Sequence, residues 1–190
     1  MAQQPQPPST ILQTLPSYLM ALDFIRPTSN EEPVQNLWQI ITTTYFPTIE
    51  HYRYGFKAPV LGNSNMPDIV IFQIIPDPNP ANVLSSPERQ ILLVECKGPK
   101  EDTVAGWTNT INGQFDDDMS ENLNASRKIF GAVAIGKKVK FFSYDFNAAP
   151  GTPKRVELHQ GAIDLAAAGG FAQTVAQMDA IKLNGWQWAS

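Results

Sequence analysis

Pro67-Asp68-Ile69-Val70-Ile71 and Ile91-Leu92-Leu93-Val94-Glu95-Cys96-Lys97 decide the reading of this chain. Both are apolar runs of strand length, and the first continues almost unbroken to Ile75. Runs of this kind, bounded by turn residues, suit strands buried on both faces of a sheet. Each run also carries charge where apolar side chains are expected. Alternate residues of a strand share a face, so Glu95 and Lys97 point the same way, roughly 7 Å apart along the strand. Burying such charges is costly unless they are paired or bind a metal. Cys96 points to the opposite face and reads as a core residue, not a nucleophile.

Upstream, Ser29-Asn30-Glu31-Glu32-Pro33 has the makeup of a helix start: a capping residue, acids for the first turn and an early proline. Val34, Leu37, Trp38, Ile41 and Tyr45 follow at helical spacing. Glu31 falls on that apolar face, whereas Glu32 falls on the polar side with Gln35 and Gln39. His51 to Lys57 alternates, with Tyr52, Tyr54 and Phe56 opposite His51, Arg53 and Lys57, and predicts a half-buried strand. Pro76 to Pro87 reads as an extended surface loop.

Downstream, Gly98-Pro99 stops the second strand. Trp107, Ile111, Phe115, Met119 and Leu123 recur every four residues and predict one amphipathic helix, with Gln114 on its shoulder. Ala132–Ile135 and Val139–Tyr144 predict a strand pair turning at Gly136-Lys137-Lys138. Phe171, Val175, Met178 and Ile181 predict a last helix ending near Gly185. Beyond it, Trp186-Gln187-Trp188 would place two aromatics on one face if extended, a feature suited to engaging a partner. The order is helix, three strands, helix, two strands, helix, which is an α/β domain with a mixed sheet. That domain spans residues 29–190. Residues 1–28 form an N-terminal tail and docking segment: a Gln/Pro-rich stretch to Thr10, expected to be disordered, then Ile11 to Ile25, apolar enough to dock with a short helix after Pro16.

The 190 residues, 43% hydrophobic, suffice for one domain with a real core. A net charge of -4 gives no global basic field, so nucleic-acid binding would need a local patch. Lys97, Lys100, Arg127-Lys128, Lys137-Lys138, Lys140 and Lys154-Arg155 are the candidates for a phosphate-tracking strip, and Trp107 is a candidate base-stacking platform or a core anchor. The single cysteine rules out an intramolecular disulfide and a Cys-based zinc site. His51 and His159 lack the spacing of a zinc site or a catalytic array. Asp116-Asp117-Asp118 point in different directions on a helix and read as a solvated acidic face. Gly98-Pro99-Lys100 lacks the pattern of a phosphate-binding loop. No apolar run is long enough to span a bilayer and Met1–Thr10 lacks a basic signal-peptide start, so an intracellular protein, cytoplasmic or nuclear, is expected.

The element order, with Pro67-Asp68 opening one strand and Glu95-Cys96-Lys97 closing the next, resembles the PD-(D/E)XK, restriction-endonuclease-like nuclease superfamily. The resemblance covers roughly Glu31 to Tyr144. It implies a restriction-endonuclease-like core and hydrolysis of phosphodiester bonds in DNA, with RNA left open as an alternative substrate. It further implies that Asp68, Glu95 and the Cys96 carbonyl hold Mg or Mn. Two carboxylates and a carbonyl are the hard oxygen donors those ions take. Lys97 would orient or deprotonate a water, Glu31 would be the helix glutamate near the site, and Gln114 would match a glutamine carried by some members. The tyrosine found in those members a turn later is replaced here by Asp118. Members often pair, so a homodimer is implied too.

Each residue also has a plainer reading. Asp68 can be a turn residue, Glu95 and Lys97 a structural ion pair, Glu31 a charge favouring the helix dipole, and Gln114 a surface residue. A catalytically repurposed or inactive protein of this fold, binding a partner or acting on a small molecule, is the alternative function.

Overall fold

The computed structural model describes residues 14–79, 82 and 85–190. The expected tail to Thr10 lies outside the described residues, as does part of the loop from Pro76 to Pro87.

The molecule is α/β, with a mixed central sheet and helices on both faces. In chain order come α1 (Pro16–Phe24), α2 (Glu32–Tyr45), β1 (Tyr52–Phe56), β2 (Ile69–Ile74), β3 (Glu88–Lys97), α3 (Val104–Thr110), α4 (Asp116–Ser120), β4 (Lys128–Ile135), β5 (Lys138–Asp145), β6 (Arg155–Glu157), β7 (Ile163–Asp164) and α5 (Gly170–Trp188). The sheet order is β1-β2-β3-β4-β5-β6, with β7 also on β5. Among the described strands, only β3 and β4 pair in parallel. A parallel pair needs a crossover, which the α3–α4 segment supplies.

The central strands are buried on both faces, as their apolar runs predict. Ile71, Val94 and Cys96 pack with Trp38 and Ile41 of α2 and Ile181 of α5. Val70, Leu93 and Val133 pack on the other side with Phe115, Met119 and Phe142. The docking segment is realised as α1, which buries Tyr18 and Ala21 in the first of these cores, with Ile25 just beyond it.

Four expectations are corrected. The single helix from Trp107 to Leu123 is broken. A step of four residues over-rotates an α-helix by about 40°, so an apolar row at that spacing drifts off one face. A π-type turn over Ile111–Phe115, with Gly113 at non-helical φ -105°, ψ -116°, separates α3 from α4. Ile111, Phe115 and Met119 are buried and Leu123 is left 62% exposed.

The last helix does not end near Gly185 but runs through it to Trp188. A Cβ at Gly185 would lie 2.9 Å from Ile91 Cβ, so glycine there permits close packing of α5 on β3. Trp186 and Trp188 are therefore not an extended tail. Trp188 stacks on Phe130 at 5.7 Å and its indole N–H donates to the Ile129 carbonyl. The Arg89 guanidinium lies 4.1 Å over Trp186.

The capping residues before α2 do not cap it. Glu31 holds the N-cap position without a side-chain cap bond, and Ser29 instead accepts from the Arg26 N–H. Finally, β6 and β7 widen the sheet beyond the predicted strands. At three and two residues they are too short to carry a period-2 signal.

Candidate metal and catalytic site

Antiparallel pairing places the two charged strand ends together. Ile69 pairs with Val94, so Asp68, just before β2, comes level with the end of β3. Its Oδ2 accepts the Cys96 backbone N–H at 2.8 Å. Lys97 folds back along its own strand face, and its Nζ donates to Glu95 Oε1 at 2.5 Å. The start of α2 closes the site. Lys97 Nζ lies 3.6 Å from Glu31 Oε2 and 3.3 Å from Gln114 Oε1. Five of the six sequence candidates, Glu31, Asp68, Glu95, Lys97 and Gln114, thus present their side chains to one place. The sixth, Cys96, is wholly buried in the opposite core and adds only its backbone.

Sequence reasoning missed three contributors and misplaced a fourth. Gln35, assigned to the polar side of α2, is buried and donates to Asp68 Oδ1 at 2.8 Å and to Glu31 Oε1. Its signal was present, since residues four apart on a helix are neighbours and Gln35 follows Glu31 by four. Lys57, just after β1, lies 3.6 Å from Glu31 Oε1 and 3.7 Å from Asp68 Oδ1. Asn65 donates to Asp118 Oδ1 at 2.7 Å. Asp118 is not part of a solvated acidic face: it is fully buried. Of its neighbours, Asp116 pairs with Arg155 and Asp117 is exposed.

The electrostatics follow from burial. Glu95 is fully buried and its pKa is pushed up to about 8, first by desolvation and then by the charge of Asp68, against the pull of Lys97. Asp68 is also raised, by burial, with the Cys96 N–H opposing. Burial alone would lower Lys97, but Glu95 and Glu31 outweigh it and raise its pKa. The lysine, partly open to water, keeps its charge, and the dry glutamate is the partner that gives up ionisation.

Two carboxylate oxygens here are buried with no hydrogen-bond partner, Glu95 Oε2 and Asp118 Oδ2. Such orphans are rare because each costs about 1–3 kcal/mol or more when charged. A divalent cation would satisfy them, and carboxylate oxygens are what Mg or Mn prefers. The residues therefore fit the metal implied by the resemblance. Among the described residues, no group of three or more His, Cys, Asp or Glu is drawn together as a metal cage. Mg needs no such cage, since it keeps several waters and binds through one or two carboxylates.

The site opens on a cleft of about 480 Å³ lined by Thr28–Glu31, Lys97, Gly98, Lys100, Glu101 and Thr110. A second cleft, about 730 Å³, is lined by Trp107, Phe142, Lys138, Lys140 and Arg155. Much of the expected basic strip is locally neutralised. Lys138 pairs with Asp102 at 2.7 Å, Lys140 with Glu157 at 3.2 Å, Lys128 with Asp145 at 3.4 Å, and Arg155 with Asp116. Trp107 is half-buried and donates to Asp102, which suits an anchor for α3. His51 is exposed, and His159 accepts the Phe141 N–H. Among the described residues no helix is long and apolar enough to cross a membrane.

Comparison with protein-family models, with curated proteins and with solved structures finds no match to this chain.

Proposed function

We propose that this protein is a divalent-metal-dependent phosphodiesterase acting on DNA, built on a restriction-endonuclease-like core. The observation that carries the reading is the meeting of Asp68, Glu95, Lys97 and Glu31 at one end of β2 and β3, with Glu95 Oε2 buried and lacking any donor. Asp68, Glu95 and the Cys96 carbonyl would hold Mg or Mn. A bound metal supplies a water of lowered pKa and neutralises charge on the phosphate. Lys97, fixed between Glu95, Glu31 and Gln114, donates hydrogen bonds to the attacking water or to the phosphate oxygens. Gln35 ties Asp68 to Glu31 and holds the helix start over the strand ends.

The test is cleavage of plasmid, single-stranded DNA and RNA with Mg, Mn or EDTA, comparing wild type with Lys97→Ala purified in parallel. Metal-dependent cutting lost in the variant supports the reading and locates the site. Equal cutting by both points to another site or a contaminant.

A second reading is favoured by the ion pairs that cancel Lys128, Lys138, Lys140 and Arg155. A fold of this kind that has been repurposed would use the same cleft for a small molecule or a partner, without tracking a phosphate backbone. Metal binding without cleavage of any nucleic acid would select it.

A further inference from the structure

Both oxygens of Asp68 already accept a hydrogen bond from the protein. Its Oδ1 accepts from Gln35 and its Oδ2 from Cys96 N–H. Glu95 Oε1 is taken by Lys97. Three buried carboxylate oxygens lack hydrogen-bond partners: Asp116 Oδ1, whose residue pairs with Arg155, and Glu95 Oε2 and Asp118 Oδ2, whose residues are each fully buried. Glu95 shares a strand face with Leu93, the face packed against Phe115 and Met119, and Asp118, next to Met119 on α4, is buried in that same layer. Lys97 Nζ reaches Glu95 Oε1 at 2.5 Å and Gln114 Oε1 at 3.3 Å, and Gln114 precedes Asp118 by four residues. Asn65 fixes the other oxygen of Asp118.

Burying two carboxylates with an orphan oxygen apiece, beside Phe115, Met119 and Leu93, is unfavourable without a counter-ion. Formally the site gathers four carboxylates, Glu31, Asp68, Glu95 and Asp118, against two ammonium groups, Lys57 and Lys97.

We propose that Asp118 is a metal ligand, and that the divalent cation is seated between Glu95 Oε2 and Asp118 Oδ2. The inference rests on the metal-dependent reading above and moves the centre of the metal position from Asp68 toward α4. Asp68 then serves chiefly to orient the Cys96 backbone and Gln35, whose bonds to it are already made.

The test uses Mn alone, with no nucleic acid. Its affinity is measured by titration calorimetry for wild type, Asp118→Asn, Asp68→Asn and Glu95→Gln. Asparagine keeps the shape of Asp118 and its bond from Asn65, and the metal-free melting temperature checks folding. Asp118→Asn is expected to weaken Mn binding by about tenfold or more, and by more than Asp68→Asn does. Independently of any variant, substoichiometric Mn added to the ¹⁵N-labelled wild type is expected to broaden the Asn65 side-chain amide before that of Gln35. These two amides report on Asp118 and Asp68 respectively.

Unchanged Mn affinity in Asp118→Asn, or earlier broadening of Gln35, overturns the inference. If Asp68→Asn and Glu95→Gln lose Mn while Asp118→Asn does not, the inference falls and the proposed nuclease keeps its metal. If Asp118→Asn loses Mn but the wild type cuts no nucleic acid, the inference stands and the nuclease reading falls. A wild type that binds no Mn at millimolar concentration refutes both.

Discussion

Glu95→Gln should stabilise the metal-free protein, and more so as pH rises. Glu95 has a native pKa of about 8 against an unfolded value of 4.5. Between those values the native state holds a proton that the unfolded chain has released, so stability falls as pH rises through that window. Below pH 4.5 the glutamate is neutral in both states and the burden is absent. At about 1.4 kcal/mol per pH unit, ionisation of Glu95 in the unfolded state costs the fold roughly 3 kcal/mol by pH 7. Glutamine is neutral throughout and removes that penalty. It also weakens the 2.5 Å contact with Lys97, whose side chain is 24% exposed and retains Glu31 and Gln114. Allowing about 1 kcal/mol for that loss leaves a net gain of about 2 kcal/mol at pH 7. Urea unfolding in EDTA at pH 5, 7 and 8 measures it. The expected result is near-equal stability at pH 5 and a growing advantage for Glu95→Gln above it. A variant destabilised equally at all three pH values would refute the reasoning, because a structural ion pair with Lys97 would then outweigh desolvation.

Gln35→Ala should lower metal-free stability by about 1–3 kcal/mol, since it strips a donor from the buried Asp68 carboxylate and leaves Asp68 and Glu31 unbridged; thermal melts with and without Mg check this, and an unchanged melting temperature would deny Gln35 its role. Truncation after Leu183 should cost about 3 kcal/mol or more, as Trp188 leaves Phe130 and Trp186 leaves Arg89, with no change in oligomeric state. Urea titration with light scattering separates that outcome from loss of a dimer. DNA affinity should fall only gently with salt, with a log–log slope of about -3 or smaller in magnitude, because the cations of β4, β5 and β6 are already paired. A slope near -8 in a fluorescence-anisotropy titration would show that those pairs open to bind phosphate.

The central sheet was legible because Ile69–Ile74 and Ile91–Lys97 are short, largely apolar runs without period, with β-branched residues and flanked by proline or glycine, which suits a strand buried on both faces. The site was legible for the same reason in reverse, since Asp68, Glu95 and Lys97 break those runs. Asp118 was not, because three consecutive aspartates look alike in sequence, and only the phase reset at Gly113 turns the third inward while Asp117 stays exposed. Gln35 was hidden by a two-sided view of α2. At the N-terminus of that helix the neighbour is not the apolar core but the polar strand ends, so a residue off the apolar stripe can still be buried. The strands β6 and β7 were illegible because their pairing with β5, not their own side chains, defines them.

The disposition of charge argues against a purely structural account of the site. Away from it, ion pairs such as Arg53–Glu88 and Lys140–Glu157 are part-exposed, contribute little, and cost little. At the site Asp68, Glu95 and Asp118 are dry. Glu95 pairs with Val133 in the β3–β4 ladder, and Asp118 precedes Met119 in the core beneath. Apolar side chains at those two positions would join the packing of Leu93, Phe115 and Met119 and relieve both the desolvation cost and the mutual repulsion. A sequence shaped by stability alone would place them there. Keeping carboxylates instead, with one oxygen on each unsatisfied, is consistent with a binding role in which a cation supplies what the protein withholds.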